Sequence, residues 1–409
     1  MYRENANNYR SFLEYSDMET YDVAVVGAGP AGSMAARYAA KSGANTILLE
    51  EHNSIGWPVE CAGLIGWRAL KEAELPTDNF ILRNLRGATV ISPGGERIDF
   101  KAKSSKAYVV DRRLFDRALA LEAIRDGAEL RLGSQVRCID RSSDNKGNLI
   151  ILGDNEKIKA GVVIIAEGVR AQLARKAGLG PPKLILSGAQ VELPFMVDDP
   201  EKVELHLIAG LGLFGWVIPL DAETARIGLC ATRHGCEYLR IFLQKECIKR
   251  RVLASPAGLF VGGLPLGPSK RTVVDGLLAV GDVAGQVKPS SGGGIYPALI
   301  CAKIAGNIAA AASKEGDWSA KRLREYDRKW RALVGRELDI GMKFNQLLTR
   351  MTNKDIDEAI QYLGKRSDLI KIILDQGDID QPSLLMMKIL PRIGFDGIKL
   401  IKLIKKALD

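Results

Sequence analysis

None of the six cysteines of this 409-residue chain, at positions 61, 138, 230, 236, 247 and 301, forms a C-x-x-C pair, which argues against a zinc site. No secretory apolar region is evident, so a reduced, cytoplasmic setting is expected rather than a disulfide framework. No uncharged apolar stretch is long enough for a transmembrane helix, so at most peripheral contact with a membrane is expected. No run of Lys and Arg interleaved with aromatics points to nucleic acid. The net charge of +9 instead suits phosphate groups or an acidic lipid surface. Hydrophobic residues at 46% and charged residues at 26% are those of a folded protein with one large core or two to three smaller ones.

The chain is organised around Tyr21–Glu50, YDVAVVGAGPAGSMAARYAAKSGANTILLE. Asp22–Val26 is a short apolar run suited to a buried parallel strand. Gly27, Gly29 and Gly32 follow as G-x-G-x-x-G, with Pro30 where a first helical turn tolerates it. Gly27 permits the tight turn, Gly29 lets backbone approach a pyrophosphate, and Gly32 lets the helix sit close on the strand. The helix start at Ala31 offers free N–H groups and a positive dipole end to phosphates. Glu50, after the second strand Thr46–Leu49, falls where a ribose-binding carboxylate is needed. A dinucleotide site is therefore expected here.

Residues 1–20 are polar and read as a flexible extension, with Met18 as an alternative start. The Gly-rich loop after Glu50 carries Trp57, Pro58, Cys61 and Gly63, a candidate cofactor wall. Cys61 suits that wall or the role of a small buried hydrophobe. A hairpin is predicted around Ser92–Gly95, then a helix from the Asp111-Arg112-Arg113-Leu114-Phe115-Asp116 segment to about Asp126. Arg112 near its start either reaches a phosphate or flavin carbonyl or is a solvated helix charge. Strands are expected over Gly133–Asp140, Leu149–Ile158 and Lys159–Glu167.

A second group of strands follows: Leu184–Leu193, Val203–Ala209, Gly215–Leu220 and Thr224–Ala231. Within it Gly210–Gly215 also satisfies G-x-G-x-x-G, but strand sequence rather than helix comes next, so no helix N-terminus would face a phosphate. Its aromatics and glycines suit an apolar ligand wall or plain sheet packing. Leu277–Val280 is the last buried strand. It ends at Gly281-Asp282, and Gly292–Gly294 precede a long small-residue helix from Tyr296. Asp282 at a strand's C-terminal end suits a ligand hydroxyl, and three glycines before a helix make a second site of close approach. From Trp318 onward the chain reads as helical and basic. Its end, Ile398–Leu408, is amphipathic and cationic, suited to an anionic membrane or to docking on its own core.

Three pieces in this order, GAGPAG with Glu50, DRRLFD, and GDVAGQVKPSSGGGIYPAL, resemble the FAD-dependent geranylgeranyl reductase family of p-hydroxybenzoate-hydroxylase-like flavoproteins. The similarity spans roughly residues 20–315. It implies an α/β fold: a Rossmann-type FAD-binding domain with an inserted β-rich (α+β) substrate domain and a C-terminal helical region. The implied division gives the FAD domain residues 21–84, 108–182 and 273–315, and the β-rich domain residues 85–107 and 183–272. Residues 316–409 form the helical region. The resemblance puts Ala31 at the pyrophosphate and Glu50 on the adenosine ribose, with Cys61, Ala62 and Leu64 lining the cofactor. Arg112 would contact FAD, Val136 would lie near the adenine, and Asp282 would bind the ribityl or pyrophosphate region. Gly294 and Ile295 would meet the isoalloxazine edge. The family's Y-x-W-x-F-P channel element is similar to Phe214–Pro219, where Trp216 and Pro219 match while Phe214 and Ile218 depart but stay apolar.

The implied activity is saturation of isoprenoid C=C bonds by hydride from reduced flavin N5 plus a proton, an oxidoreduction at CH–CH groups. Cys61 is the candidate proton source or orienting group, since a thiol is mostly protonated at neutral pH. The implied partners are a prenyl lipid, an anionic membrane surface and a reductant that is ferredoxin, NAD(P)H or another donor. Digeranylgeranylglycerophospholipid suits the basic charge, with geranylgeranyl diphosphate or a quinone or chlorophyll tail as other candidates. One rival is an NADPH- and O2-dependent aromatic hydroxylase of the same fold, a branch that typically has Asp-Gly where this chain has Glu167-Gly168. Another is a non-catalytic flavin- or lipid-binding protein.

Overall fold

The computed structural model describes residues 18–141, 147–389 and 392. The expected N-terminal extension lies almost entirely outside them, and the amphipathic segment Ile398–Leu408 lies wholly outside them.

Continuous apolar runs build the first sheet, as burial on both faces requires. Its order is Val273–Val274, Leu277–Ala279, Lys157–Ile165, Thr20–Val26, Thr46–Leu49, Glu129–Arg131. Thr20–Val26 pairs in parallel with both Lys157–Ile165 and Thr46–Leu49. Asn148–Leu152 and Val136–Arg141 extend the sheet antiparallel from the first residues of Lys157–Ile165. The stretch expected as one strand, Leu149–Ile158, is therefore two. A turn at Gly153–Glu156, with Asn155 at φ 70°, reverses the chain so that Ile150 pairs with Ile158.

Two helices built mainly of small residues cover one face of this sheet, Pro30–Lys41 and Ile295–Glu315. They cross at Gly306, where a Cβ would stand 2.8 Å from the Ala39 amide nitrogen. Only glycine permits that approach. Ile295–Glu315 is the one described helix long and apolar enough to cross a bilayer, yet 61% of its apolar window is buried inside the protein. It is a core helix. Ala320–Trp330 packs beside it through Leu323, Tyr326 and Trp330, all at 0% exposure.

The second sheet is made of alternating strands. Its order is Gly258–Leu266, Leu184–Pro194, Thr224–Ala231, Gly212–Pro219, Lys202–Leu207, Gly87–Ile91, Arg97–Lys101. All its pairings are antiparallel except that between Lys202–Leu207 and Gly87–Ile91. One face packs Ala189, Val191, Val217, Ile227 and Leu229 against the helix Gly235–Leu243. The other face packs Leu186, Leu213, Cys230 and Leu266 with Val287 and Met342. The second glycine motif, at Gly210–Gly215, runs directly into the strand Gly212–Pro219, in agreement with its rejection as a nucleotide loop. A small sheet of Leu64–Gly66, Ala107–Val110 and Ile81–Leu85 sits between the two large ones.

Candidate functional site

The first sheet's strands end at a crevice, the usual ligand position of an open α/β sheet. Gly27 holds φ +98°, and a Cβ there would stand 2.5 Å from the Ala166 carbonyl oxygen. A Cβ on Gly32 would overlap the Gly27 carbonyl oxygen and lie 3.3 Å from Ala166 Cβ. Those two glycines are used by the fold itself. Gly29 differs, since nothing lies within 4 Å of the Cβ it lacks. It is the N-cap of Pro30–Lys41 and has no side-chain cap, so the first N–H groups of the helix face open space.

Glu50 closes one side of this cradle. Its Oε2 accepts the Ala28 N–H at 2.8 Å, and its Oε1 lies 2.6 Å from His52 Nδ1. Beyond it is a hollow of about 380 Å³ lined by His52, Ser134, Gln135 and Leu152. Val136 itself is only 9% exposed and belongs to the core of the first sheet.

On the other side stands Gly281-Asp282. A Cβ at Gly281 would come within 2.8 Å of Ala31 Cβ, so the turn and the first helix touch. Gln286 holds the turn: its Oε1 accepts the Gly281 N–H at 2.8 Å, and its Nε2 donates to the Tyr326 hydroxyl at 2.9 Å. Asp282 Oδ1 stands 3.2 Å from where a Gly294 Cβ would be, and Gly294 caps Ile295–Glu315 without a side-chain bond. Two uncapped helix starts thus face one crevice.

Burial pushes the Asp282 carboxyl up from 3.8 to about 6, the Arg112 guanidinium opposing the shift and the Glu60 carboxylate adding to it. Because the folded value exceeds the unfolded one, this group's stabilising contribution is complete below about pH 4 and lost as pH rises through 6. Asp282→Asn is therefore expected to flatten the pH dependence of apoprotein stability, removing a loss of about 2 kcal/mol between pH 4 and 7.5. Urea titrations of both proteins across that range measure it. Parallel curves would reject the buried carboxyl as the cause.

Asp111 caps the helix Arg112–Arg125, accepting the Arg113 N–H at 2.8 Å. Arg112 bonds both oxygens of Asp116 at 2.8 Å. Burial works against this cation, but the Asp116 carboxylate holds its pKa above the ordinary arginine value. Of the two readings of Arg112 from sequence, the solvated helix charge is the one the structure removes.

The loop carrying Cys61 is fixed from the second sheet. Gln190 Nε2 donates to the Cys61 carbonyl at 3.1 Å, and Arg226 Nη1 donates to the Ala62 carbonyl at 3.1 Å. The Gly63 N–H points at Cys61 Sγ, 3.4 Å away. Trp57, read as part of this wall, is instead 57% exposed. Beyond the loop, Trp216 joins one apolar cluster with Phe214, Leu186 and Leu264 and a second with Ala62, Leu64 and Ile218. Trp216 Nε1 and Gln190 Oε1 are both buried and without a hydrogen-bond partner among the described residues. Strand alternation puts Pro219, paired with Ala225, on the opposite face. Gln190 and Arg226 carry no local sequence signal. Only the pairing of distant strands brings them here.

Glu167 accepts the N–H groups of Gln172, Leu173 and Ala174 at 2.7 to 3.0 Å. The carboxylate that replaces the hydroxylase-type Asp is thus committed to capping a short helix.

Comparison with known proteins places this arrangement. The lycopene cyclase protein family matches residues 22–224. The digeranylgeranylglycerophospholipid reductase of Methanocaldococcus jannaschii is 37% identical over 368 residues, covering 87% of this chain and 93% of the relative. The chain belongs to the geranylgeranyl reductase family. A second such reductase, from Methanothermobacter thermautotrophicus, is 35% identical and covers 89% of this chain and 98% of the relative. The solved structure of a geranylgeranyl bacteriochlorophyll reductase-like protein from Thermoplasma acidophilum superposes with a TM-score of 0.80 at 25% identity. It covers 95% of this chain and 100% of that one. A flavin-dependent brominase, at 18% identity and a TM-score of 0.70, shares the fold. The expected family and fold class both stand, and the chain is a flavin oxidoreductase of this family.

Proposed function

We propose that this protein is an FAD-dependent reductase that saturates the isoprenoid double bonds of geranylgeranyl chains. The substrate we assign is digeranylgeranylglycerophospholipid, as in archaeal-type membrane lipid synthesis. The observation that carries the reading is the apolar wall around Trp216 facing a glycine-lined crevice, in a chain 37% identical to a reductase named for that lipid. The open space at Gly29 and the two uncapped helix starts fit a pyrophosphate. Gly27, Gly29, Ala31, Gly32, Glu50, Ala62, Leu64, Arg112, Asp282, Gly294 and Ile295 would hold FAD, with the hollow beside Glu50 and Val136 for its adenine end.

When bound and reduced, FAD supplies the hydride equivalent that an isolated alkene needs. An unactivated alkene develops no oxyanion, so the chain's own contribution is alignment, exclusion of water and a placed proton. Phe214 and Trp216 align the prenyl chain. Cys61 is the proton donor we assign, held by Gln190 through its carbonyl and with the Gly63 N–H at its sulfur. The division into FAD, β-rich and C-terminal helical regions given above fits the two large sheets. A cytoplasmic location with peripheral membrane contact fits a lipid substrate.

The test is anaerobic. The protein is reduced with dithionite, given digeranylgeranylglycerophospholipid, and the lipid is examined by mass spectrometry for a gain of two hydrogens per double bond. No gain, combined with NADPH-dependent oxygen consumption on an aromatic, would move the assignment to a hydroxylase. Trp216→Ala is expected to lower lipid turnover about tenfold or more while flavin reduction by dithionite proceeds as before, because one buried aromatic wall contributes about 1.5–3 kcal/mol. Equal loss of both would remove Trp216 from the channel.

A further inference from the structure

One segment of the C-terminal region leaves its helices and enters this crevice. Between Ser367–Gln376 and Pro382–Ile389 the chain crosses as Gly377-Asp378-Ile379-Asp380-Gln381. Ile379 packs against the cluster of Leu85, Ala107, Val109, Val203 and Ile218, on whose edge Ala62, Leu64 and Trp216 of the proposed substrate wall also lie. The two flanking carboxylates each take a cation. Asp378 Oδ2 accepts from Arg68 Nε at 2.5 Å, and Asp380 Oδ1 accepts from Lys288 Nζ at 2.7 Å. Lys288 also donates to the Ile379 carbonyl at 2.8 Å. It belongs to the loop before Ile295–Glu315, and a Cβ at Gly293 would stand 3.0 Å from its Nζ.

The Lys288–Asp380 pair is almost wholly buried, its side chains 4% and 2% exposed. Desolvating two charges offsets most of their attraction, so two apolar residues of similar volume would serve stability as well. The second oxygen of Asp380 is buried without a partner among the described residues, which makes the arrangement poorer still. Gly66 accommodates that oxygen, since any Cβ there would overlap it. A carboxylate, an apolar side chain and a carboxylate thus occupy a cation, an apolar wall and a cation. That is the pattern by which an anionic amphiphile would be recognised.

We propose that Lys288 and Arg68 form a binding site for the phosphate group of an anionic prenyl lipid, which Asp378–Asp380 occupies until the lipid displaces it. The proposal rests on the prenyl-lipid reading above. A phosphate offers several acceptor oxygens to the Lys288 ammonium and the Arg68 guanidinium, where Asp380 leaves one of its oxygens unused. The prenyl chain would then take the wall that Ile379 covers. Ser383, just past the segment, donates its N–H to Glu337 at 3.2 Å, so the strap remains anchored at that end when it opens.

The experiment uses the full-length, FAD-loaded protein and follows hydrogen exchange at residues 377–381 by mass spectrometry. The probes are digeranylgeranylglyceryl phosphate, its neutral alcohol digeranylgeranylglycerol, and inorganic phosphate. The phosphorylated lipid should speed exchange of the strap about tenfold, and the neutral lipid should not. Lys288→Gln alone would strand a buried Asp380 carboxylate and risk unfolding, so the variant is K288Q/D380N. In it, the preference in kcat/KM for the phosphorylated over the neutral lipid should fall about tenfold, the loss of one charge-assisted contact.

If both lipids are saturated but the strap never responds, the headgroup site is wrong and the reductase reading stands. If neither lipid is saturated while the phosphorylated lipid, and not inorganic phosphate, frees the strap, the headgroup site stands and the reductase reading falls. Strap release by inorganic phosphate as complete as by the lipid would assign the site to free phosphate and overturn the lipid proposal. Release on dithionite reduction alone would assign Lys288 to the cofactor instead.

Discussion

Alanine at Gly29 is expected to leave the apoprotein as stable as the parent and to abolish retention of FAD. Gly29 has φ −68° and ψ −178°, a conformation open to any residue, and its missing Cβ points into space that no protein atom claims within 4 Å. The fold therefore gives no reason for glycine here, and a closely approaching ligand does. A methyl group held against the pyrophosphate should weaken FAD about 100-fold, or about 3 kcal/mol, while apoprotein stability moves by about 0.5 kcal/mol or less. Gly32→Ala is the contrast. Its Cβ would meet the Gly27 carbonyl and Ala166, backbone and core that cannot yield, so the helix must lift off the strand. Both stability, by about 3 kcal/mol, and FAD binding should then be lost. Urea denaturation of the apoproteins and equilibrium dialysis with FAD separate the cases. A Gly29→Ala protein that binds FAD normally would remove the cofactor from this crevice. One destabilised as much as Gly32→Ala would show that the glycine serves the fold.

The contrast between these glycines also marks how far the sequence could be read. G-x-G-x-x-G announces both through one pattern, and the strands on either side, Thr46–Leu49 above all, were legible as apolar runs of the right length. Thr224–Ala231 was legible by alternation. The strand Gly258–Leu266 was not among those expected, because its three glycines and Pro265 break any alternation. It is an edge strand, where a proline leaves no ladder bond unmade. The break inside Leu149–Ile158 was hidden because Asp154 and Asn155 make a turn without glycine at its left-handed position. Pro219 shows a different limit. A motif matched by sequence order says nothing about parity, and an odd offset from Trp216 turns the side chain to the other face. Gln190, Arg226, Lys288 and Asp380 were illegible for the commonest reason. Each acts on a residue more than 90 positions away or on a partner from another sheet, and no local pattern records such a meeting.

Arg112 is where the stability of this crevice and its chemistry can be separated. Arg112→Met should cost about 3 kcal/mol, because it leaves Asp116, 5% exposed, as a buried carboxylate with its cation gone. It should also move the pH dependence. Arg112 is the group that restrains the rise of the Asp282 carboxyl, so without it that carboxyl rises further, and the associated loss of stability grows and extends to higher pH. The double variant R112M/D116L removes both charges of the pair and should recover most of the lost stability. It should not recover FAD, since the guanidinium is absent in both proteins. Urea denaturation at pH 5 and pH 8, with flavin absorbance after gel filtration, reads all three effects. Should R112M/D116L retain FAD as tightly as the parent, Arg112 is a structural cation that orders Asp116. Should it recover stability but stay flavin-free, the arginine of the helix start acts on the cofactor, and its pairing with Asp116 serves to hold it there.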